Sequence, residues 1–189
     1  VKEIGENAFC GCESLKQINI PNSVTSIGKN AFNGCTSLEK ITIPNSITSI
    51  NWGTFGRCES LKEVKIPNSV KEICDHAFSG CTSLEEITIP DGVKCINIGI
   101  LGACRSIKKI NIPNSVEEIC ENAFWGAKSL EEINIPNSVK KIDPEVFRGN
   151  ASLKAIKYKD NTYNSAKGFF EAFKFNNPSY ESSSDRSEL

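Results

Sequence analysis

Leu15-Lys16-Gln17-Ile18-Asn19-Ile20-Pro21-Asn22-Ser23-Val24-Thr25-Ser26-Ile27-Gly28-Lys29-Asn30-Ala31-Phe32-Asn33-Gly34-Cys35 is the stretch on which the fold turns, because its parts return every 23 residues. Ser-Leu stands at Ser14-Leu15, Ser37-Leu38, Ser60-Leu61, Ser83-Leu84, Ser129-Leu130 and Ser152-Leu153, with Ser106-Ile107 filling the one gap. An aromatic returns at Phe9, Phe32, Phe55, Phe78, Phe124 and Phe147, with Leu101 standing in once. An Ile-Pro pair ends at Pro21, Pro44, Pro67, Pro90, Pro113 and Pro136. Branched residues follow at Val24, Ile47, Val70, Val93, Val116 and Val139, and isoleucines at Ile27, Ile50, Ile73, Ile96, Ile119 and Ile142. A fixed period of this length marks stacked copies of one small unit.

The chemistry of one unit says what stacks. Ile18 and Ile20 lie two apart among the polar Lys16, Gln17 and Asn19, which predicts a short strand with one buried face. Pro21 has no N–H to continue a ladder, so the strand stops there, and Pro21-Asn22-Ser23 is turn chemistry. Val24 and Ile27 bury a second short stretch, while Asn7 to Cys12 reads as a compact turn or a single helical turn on the opposite side. Such a unit cannot bury its apolar face alone. Stacked copies can, each strand pairing with the next at about 4.8 Å to make a parallel sheet.

The repeat from Leu15 to Cys35 resembles the 23-residue leucine-rich repeat of the BspA-like, Treponema pallidum-type class. The resemblance covers roughly residues 1–158. It implies a leucine-rich repeat solenoid and, for function, a cell-surface or secreted protein that adheres to host proteins. The expected architecture is a right-handed solenoid of about seven repeats over 1–158, a C-terminal helical cap over 159–175, and a disordered tail or linker over 176–189. Phe169, Phe170 and Phe173 lie at helical spacing behind the capping candidates Asn164 and Ser165, as a lid over the last repeat would require. Val1 occupies the Val24 position one period earlier, so the chain is expected to be a piece of a longer array. Gly99-Ile100-Leu101-Gly102-Ala103-Cys104 departs from the Asn-Ala-Phe-x-Gly-Cys pattern, and looser geometry is expected there.

Composition narrows the function. The chain has 189 residues, with 22 basic and 23 acidic side chains and a net charge of −1, which does not suit nucleic acid or an anionic membrane. No apolar run of about 18 residues predicts membrane insertion. One histidine, His76, leaves little for acid–base catalysis or metal binding, and no Ser-His-Asp set or phosphate loop is visible. No enzyme activity and no cofactor or metal are expected. The first exposed strand position alternates in sign through Lys16, Glu39, Lys62, Glu85, Lys108, Glu131 and Lys154, which keeps the strands in register.

Two tryptophans break the pattern. Trp52 and Trp125 fall in turn-side columns that are otherwise mostly polar or small, and both are expected to be partly exposed. They are candidate anchors for a protein partner, with Lys40, Lys65 and Lys109 as candidate contacts on the strand face. Recognition of a protein ligand by a monomer is the leading expectation, and a rigid structural spacer within a larger protein is the alternative. Five of nine cysteines share one column, Cys12, Cys35, Cys58, Cys81 and Cys104, which Ala127 continues. They read as structural free thiols in a small slot. Cys10, Cys74, Cys95 and Cys120 lie off that column, and Cys74 and Cys120, two repeats apart, are too distant to bridge. The sequon Asn150-Ala151-Ser152 permits glycosylation in a secretory host.

Overall fold

The computed structural model describes residues 1–177. Its thirteen parallel segments fall into two sheets running the length of the stack. One is a side sheet of two-residue strands: β1 (Glu3–Ile4), β2 (Ser26–Ile27), β4 (Ser49–Ile50), β6 (Glu72–Ile73), β8 (Cys95–Ile96), β10 (Glu118–Ile119) and β12 (Lys141–Ile142). The other is the strand face: β3 (Lys40–Thr42), β5 (Glu63–Lys65), β7 (Glu86–Thr88), β9 (Lys109–Asn111), β11 (Glu132–Ile135) and β13 (Ala155–Tyr158). Register equals the sequence period throughout, as in Lys40 opposite Glu63, Ile50 opposite Ile73 and Ile133 opposite Ile156. The array is a parallel β-solenoid of about seven turns closed by one helix.

Neither sheet is unbroken. Among the described residues, no ladder joins β2 to β4 or β6 to β8 in the side sheet, or β5 to β7 or β9 to β11 on the strand face. At the step from the repeat of β5 and β6 to that of β7 and β8 both sheets are interrupted, and the turn-side bonds from His76 to Ile98, Phe78 to Ile100 and Gly80 to Gly102 cross it. In the side sheet the residue type explains the interruptions. Where Gly28, Cys74 and Cys120 follow the strand, their backbone N–H donates to the isoleucine carbonyl one repeat back, at 2.8 Å in each case. At Asn51 and Asn97 the side-chain amide takes over, donating to Ile27 O at 2.6 Å and Ile73 O at 2.7 Å. On the strand face, the break between β5 and β7 sets Glu63 beside Glu86, and like charges directly opposite oppose pairing. No such pair accounts for the break between β9 and β11.

The turns on the far side carry the most regular ladder. At each of the first five steps three backbone N–H groups donate to the next repeat, as in Asn30 to Trp52, Phe32 to Thr54 and Gly34 to Gly56. The geometry needs two left-handed residues per turn. Asn7, Asn30, Gly53, His76, Gly99 and Asn122 fill the first place, with φ between 53° and 59°. Asn, Gly and His are the types that tolerate this region, which explains the column. The departing turn Gly99–Cys104 is not looser: it keeps all three bonds, from Gly99 to Glu121, Leu101 to Ala123 and Ala103 to Trp125. Ala103 holds φ 59° to do so, and Ile100 and Leu101 are buried. The only helical turn among the described repeats is the 3-10 turn Pro144–Phe147, started by Asp143 accepting from Glu145 N.

The core follows the columns. Phe9, Phe32, Phe55 and Phe78 stack nearly parallel with centroids 5.2, 5.5 and 5.4 Å apart, until Leu101 interrupts them. Phe124 and Phe147 resume at 6.3 Å. Ser69 and Ser115 of the Pro-Asn-Ser turns clasp the preceding repeat, Ser69 Oγ donating to Ile47 O at 2.7 Å and Ser115 Oγ to Val93 O at 2.8 Å.

Beyond the last repeat the chain turns back. Lys159 takes φ 52° and, with Asp160, makes a two-residue hairpin to β14 (Asn161–Tyr163), antiparallel to β13. That hairpin covers the outer edge of the strand face. Ser165 then caps α1 (Ala166–Asn176), its hydroxyl accepting from Gly168 N. Phe169 and Phe173 are buried against Tyr158, at 5.7 and 5.3 Å, and Phe169 also meets Phe147 at 6.2 Å. The expected tail starts too early: Asn176 is the last helical residue and Asn177 its C-cap, with its side chain donating to Phe173 O. From 178 onward the expected tail lies outside the described residues.

Candidate functional site

The turn side carries the largest exposed apolar residues of the repeats. Trp52 is 44% exposed, Ile98 40% and Trp125 46%. The Trp52 ring meets His76 edge-on at 5.9 Å. The left-handed turn residue His76 leans over the next repeat, where a β-carbon on Gly99 would lie 2.5 Å from its Nδ1. Glycine at 99 suits its φ of 58°, as asparagine and histidine do elsewhere in the column, and it leaves room for the histidine above it.

Gly99 and Gly102 leave a hollow of about 400 Å³. Its walls are His76 and Ser79 on one side and Asn122, Trp125 and Arg148 on the other. Neighbouring repeats place a histidine, an asparagine, a serine or a tryptophan where these glycines stand. The sequence departure that suggested loose geometry instead removes side chains from a well-ordered turn. Aromatic edges, an imidazole, a carboxamide, a hydroxyl and a guanidinium surround the hollow, a set suited to binding through apolar contact and hydrogen bonds. Among the described residues no three His, Cys, Asp or Glu side chains gather as metal ligands.

The strand-face candidates have a different setting. Lys40 pairs with Glu63 at 3.0 Å, Lys65 with Glu63 at 3.5 Å and Lys109 with Glu86 at 2.9 Å. The hydrogen bond from Lys40 holds the Glu63 carboxyl below its usual range, as Lys109 does for Glu86. In the alternating column, Lys108 meets Glu85 at 2.9 Å and Lys154 meets Glu131 at 3.3 Å. These partners all lie across a continuous ladder, β7 with β9 or β11 with β13. The five lysines are thus neutralised within the face. Lys40, Lys65 and Lys109 do not join the tryptophans, which lie on the turn side.

The cysteine column is buried from Cys35 to Cys104. Each thiol donates to the carbonyl of the phenylalanine in the preceding repeat: Cys35 to Phe9 O, Cys58 to Phe32 O, Cys81 to Phe55 O and Cys104 to Phe78 O, at 3.1 to 3.2 Å. Burial pushes Cys58 and Cys104 up to about 12 and Cys35, nearer the N-terminal end, to about 11. These are inert packing groups with a fixed hydrogen bond. The sequon is also engaged: Asn150 Oδ1 accepts from Ala127 N at 3.0 Å, and Nδ2, the atom a glycan would join, is buried.

Sequence columns compare residues at one place in the period, and two features escape them. The glycine-floored hollow needs two adjacent columns read together with His76. The Cys95 and Cys120 sulfurs, 3.4 Å apart, meet diagonally between columns.

The BspA-type leucine-rich repeat profile matches six copies over residues 1–103 and 75–186. A leucine-rich cell surface protein from Faecalibacterium prausnitzii A2-165 is 35% identical with a TM-score of 0.78, over 87% of this chain and 47% of its own. A leucine-rich repeat protein from Bacteroides ovatus is 36% identical with a TM-score of 0.81, over 84% of this chain and 41% of its own. The Treponema pallidum leucine-rich repeat protein is 31% identical with a TM-score of 0.68, over 75% of this chain and 66% of its own. The chain therefore spans less than half the length of the first two. No functionally curated protein matches it. With the repeat period, the two parallel sheets and the profile in agreement, the chain belongs to the BspA-type leucine-rich repeat family.

Proposed function

We propose that this chain is a non-enzymatic protein-recognition module of a surface-displayed, adhesin-like protein, and that as a monomer it holds its partner on the turn side. The observation that carries the reading is the half-exposed Trp125 in the wall of the hollow floored by Gly99 and Gly102, with the half-exposed Trp52 against His76 of the opposite wall. Trp and Arg anchors beside a concavity are what protein hot spots are made of, and Arg148 stands at the same rim. The cell-surface Faecalibacterium relative supports surface display of the parent protein.

The test is binding of the purified chain to immobilised extracellular-matrix proteins and to epithelial cells, at low and physiological salt. A Trp52→Ala/Trp125→Ala variant runs beside it. The expected result is saturable binding that survives salt and falls about tenfold or more in the variant, equivalent to about 1.4 kcal/mol. Saturable binding unchanged in the variant would move the partner to the strand face. No binding above a scrambled-surface control would favour the second reading, a rigid spacer. The spacer reading draws its support from the neutralised strand-face lysines and the turn-side ladder that runs through the first five steps.

A further inference from the structure

We infer that Cys95 and Cys120 are a dithiol modification site, oxidised by low-molecular-weight disulfides to a strap across two successive repeats. The register between β8 and β10 sets Cys95 opposite Glu118. Cys120 lies two residues beyond Glu118, on the same face, and the backbone bond from its N–H to Ile96 O at 2.8 Å fixes it there. The two sulfurs touch at 3.4 Å. A disulfide needs them at about 2.05 Å, so they must close by about 1.4 Å, and because the pair is diagonal in the ladder the two strand ends must draw together as the side chains rotate.

The contrast with the buried column is direct. Those thiols are spent on backbone carbonyls and sealed from solvent, whereas Cys95 and Cys120 face each other and are half-buried. Either sulfur can donate the hydrogen bond between them. The thiolate of one cysteine attacks one sulfur of the small disulfide RSSR and expels RS⁻. The other, having lost its proton to solvent, then attacks the protein sulfur of that mixed disulfide and expels the second RS⁻. Two protein thiols are oxidised to one disulfide, and RSSR is reduced to two RSH. The strap joins the repeats of β8 and β10, whose strands β7 and β9 are also paired, and the turn after β10 leads to Asn122 and Trp125 of the hollow.

The experiment uses the full chain with Cys10→Ser/Cys12→Ser, since these two thiols are exposed and would react on their own. Removing these two of the nine leaves seven thiols. Native protein is incubated with oxidised glutathione at about pH 8, then denatured, counted and peptide-mapped. The expected outcome is a fall from seven thiols to five with a mass loss of about 2 Da, a single linked peptide joining Cys95 to Cys120, and reversal by dithiothreitol. The melting midpoint should rise by about 5 °C on oxidation. Adding Cys95→Ser or Cys120→Ser should abolish these changes, while Cys74→Ser should leave them intact. Seven surviving thiols, a glutathione adduct persisting on Cys120 with Cys95 present, or a linked peptide joining Cys74 to Cys95 would overturn the inference.

Discussion

Asn97 shows how one side chain can stand in for a backbone group. Its amide donates to Ile73 O at 2.7 Å at a step where β6 and β8 share no ladder. Asn97→Ala should therefore leave that carbonyl without its donor and cost about 1–2 kcal/mol, read from urea unfolding. Asn→Ala at the exposed turn residue Asn22 should cost well under half as much. The buried thiols make a second prediction. Cys58 and Cys104 have folded pKa values near 12, raised by burial from an ordinary value of 9.0. A raised thiol pKa stabilises the fold fully below 9, and that contribution is lost as pH climbs from 9 toward 12. Urea midpoints should fall steeply in that window, and a Cys58→Ala/Cys104→Ala variant should show a flatter decline. Asn150, its Nδ2 buried, should remain unglycosylated when the chain is secreted from a eukaryotic host, as intact mass will report.

At the scale of elements, the cap is the strongest dependency. Phe169 meets Tyr158, Phe147, Tyr163 and Phe173 at once, so Phe169→Ala should cost about 3–5 kcal/mol and expose the last repeat to proteolysis. Phe175→Ala, at a residue 85% exposed on the same helix, should cost little. The helix was legible because Ser165 and the three phenylalanines carry local signals of cap and period. The strands were legible because Ile-Pro states both the buried face and its end. The hairpin to β14 was not, since Lys159-Asp160 lacks the Asn-Gly signal of a tight turn and its pairing depends on the edge left by β13. The turn at Gly99 was misjudged for a related reason. Losing the pattern's Asn and Phe looks like disorder in a column, but Gly satisfies the same left-handed φ and Leu101 fills the same core place. The tryptophans were legible as exposed; the hollow beside Trp125 was not, because it is made by side chains that are missing.

For the whole molecule, the two ends are unlike. The C-terminal end is closed by α1, whereas Ile4, Phe9, Leu15 and Ile18 of the first repeat are only partly buried. The stack is held by neighbour contacts, so unfolding should begin where a neighbour is lacking. Amide exchange should be fastest over about the first repeat, Val1 to Ile20, and slowest from Phe55 to Leu130, as hydrogen exchange by mass spectrometry will read. The one step among the described repeats at which both sheets part, from β5 and β6 to β7 and β8, decides what happens between those ends. A mason who lets two joints line up relies on the tie behind the wall. Here that tie is the turn-side ladder, which crosses the step from His76 to Ile98, Phe78 to Ile100 and Gly80 to Gly102, helped by the Asn97 amide on Ile73 O. Pulled lengthwise, such a rod has its joint at mid-span, and the turns are the hinge on which it would open.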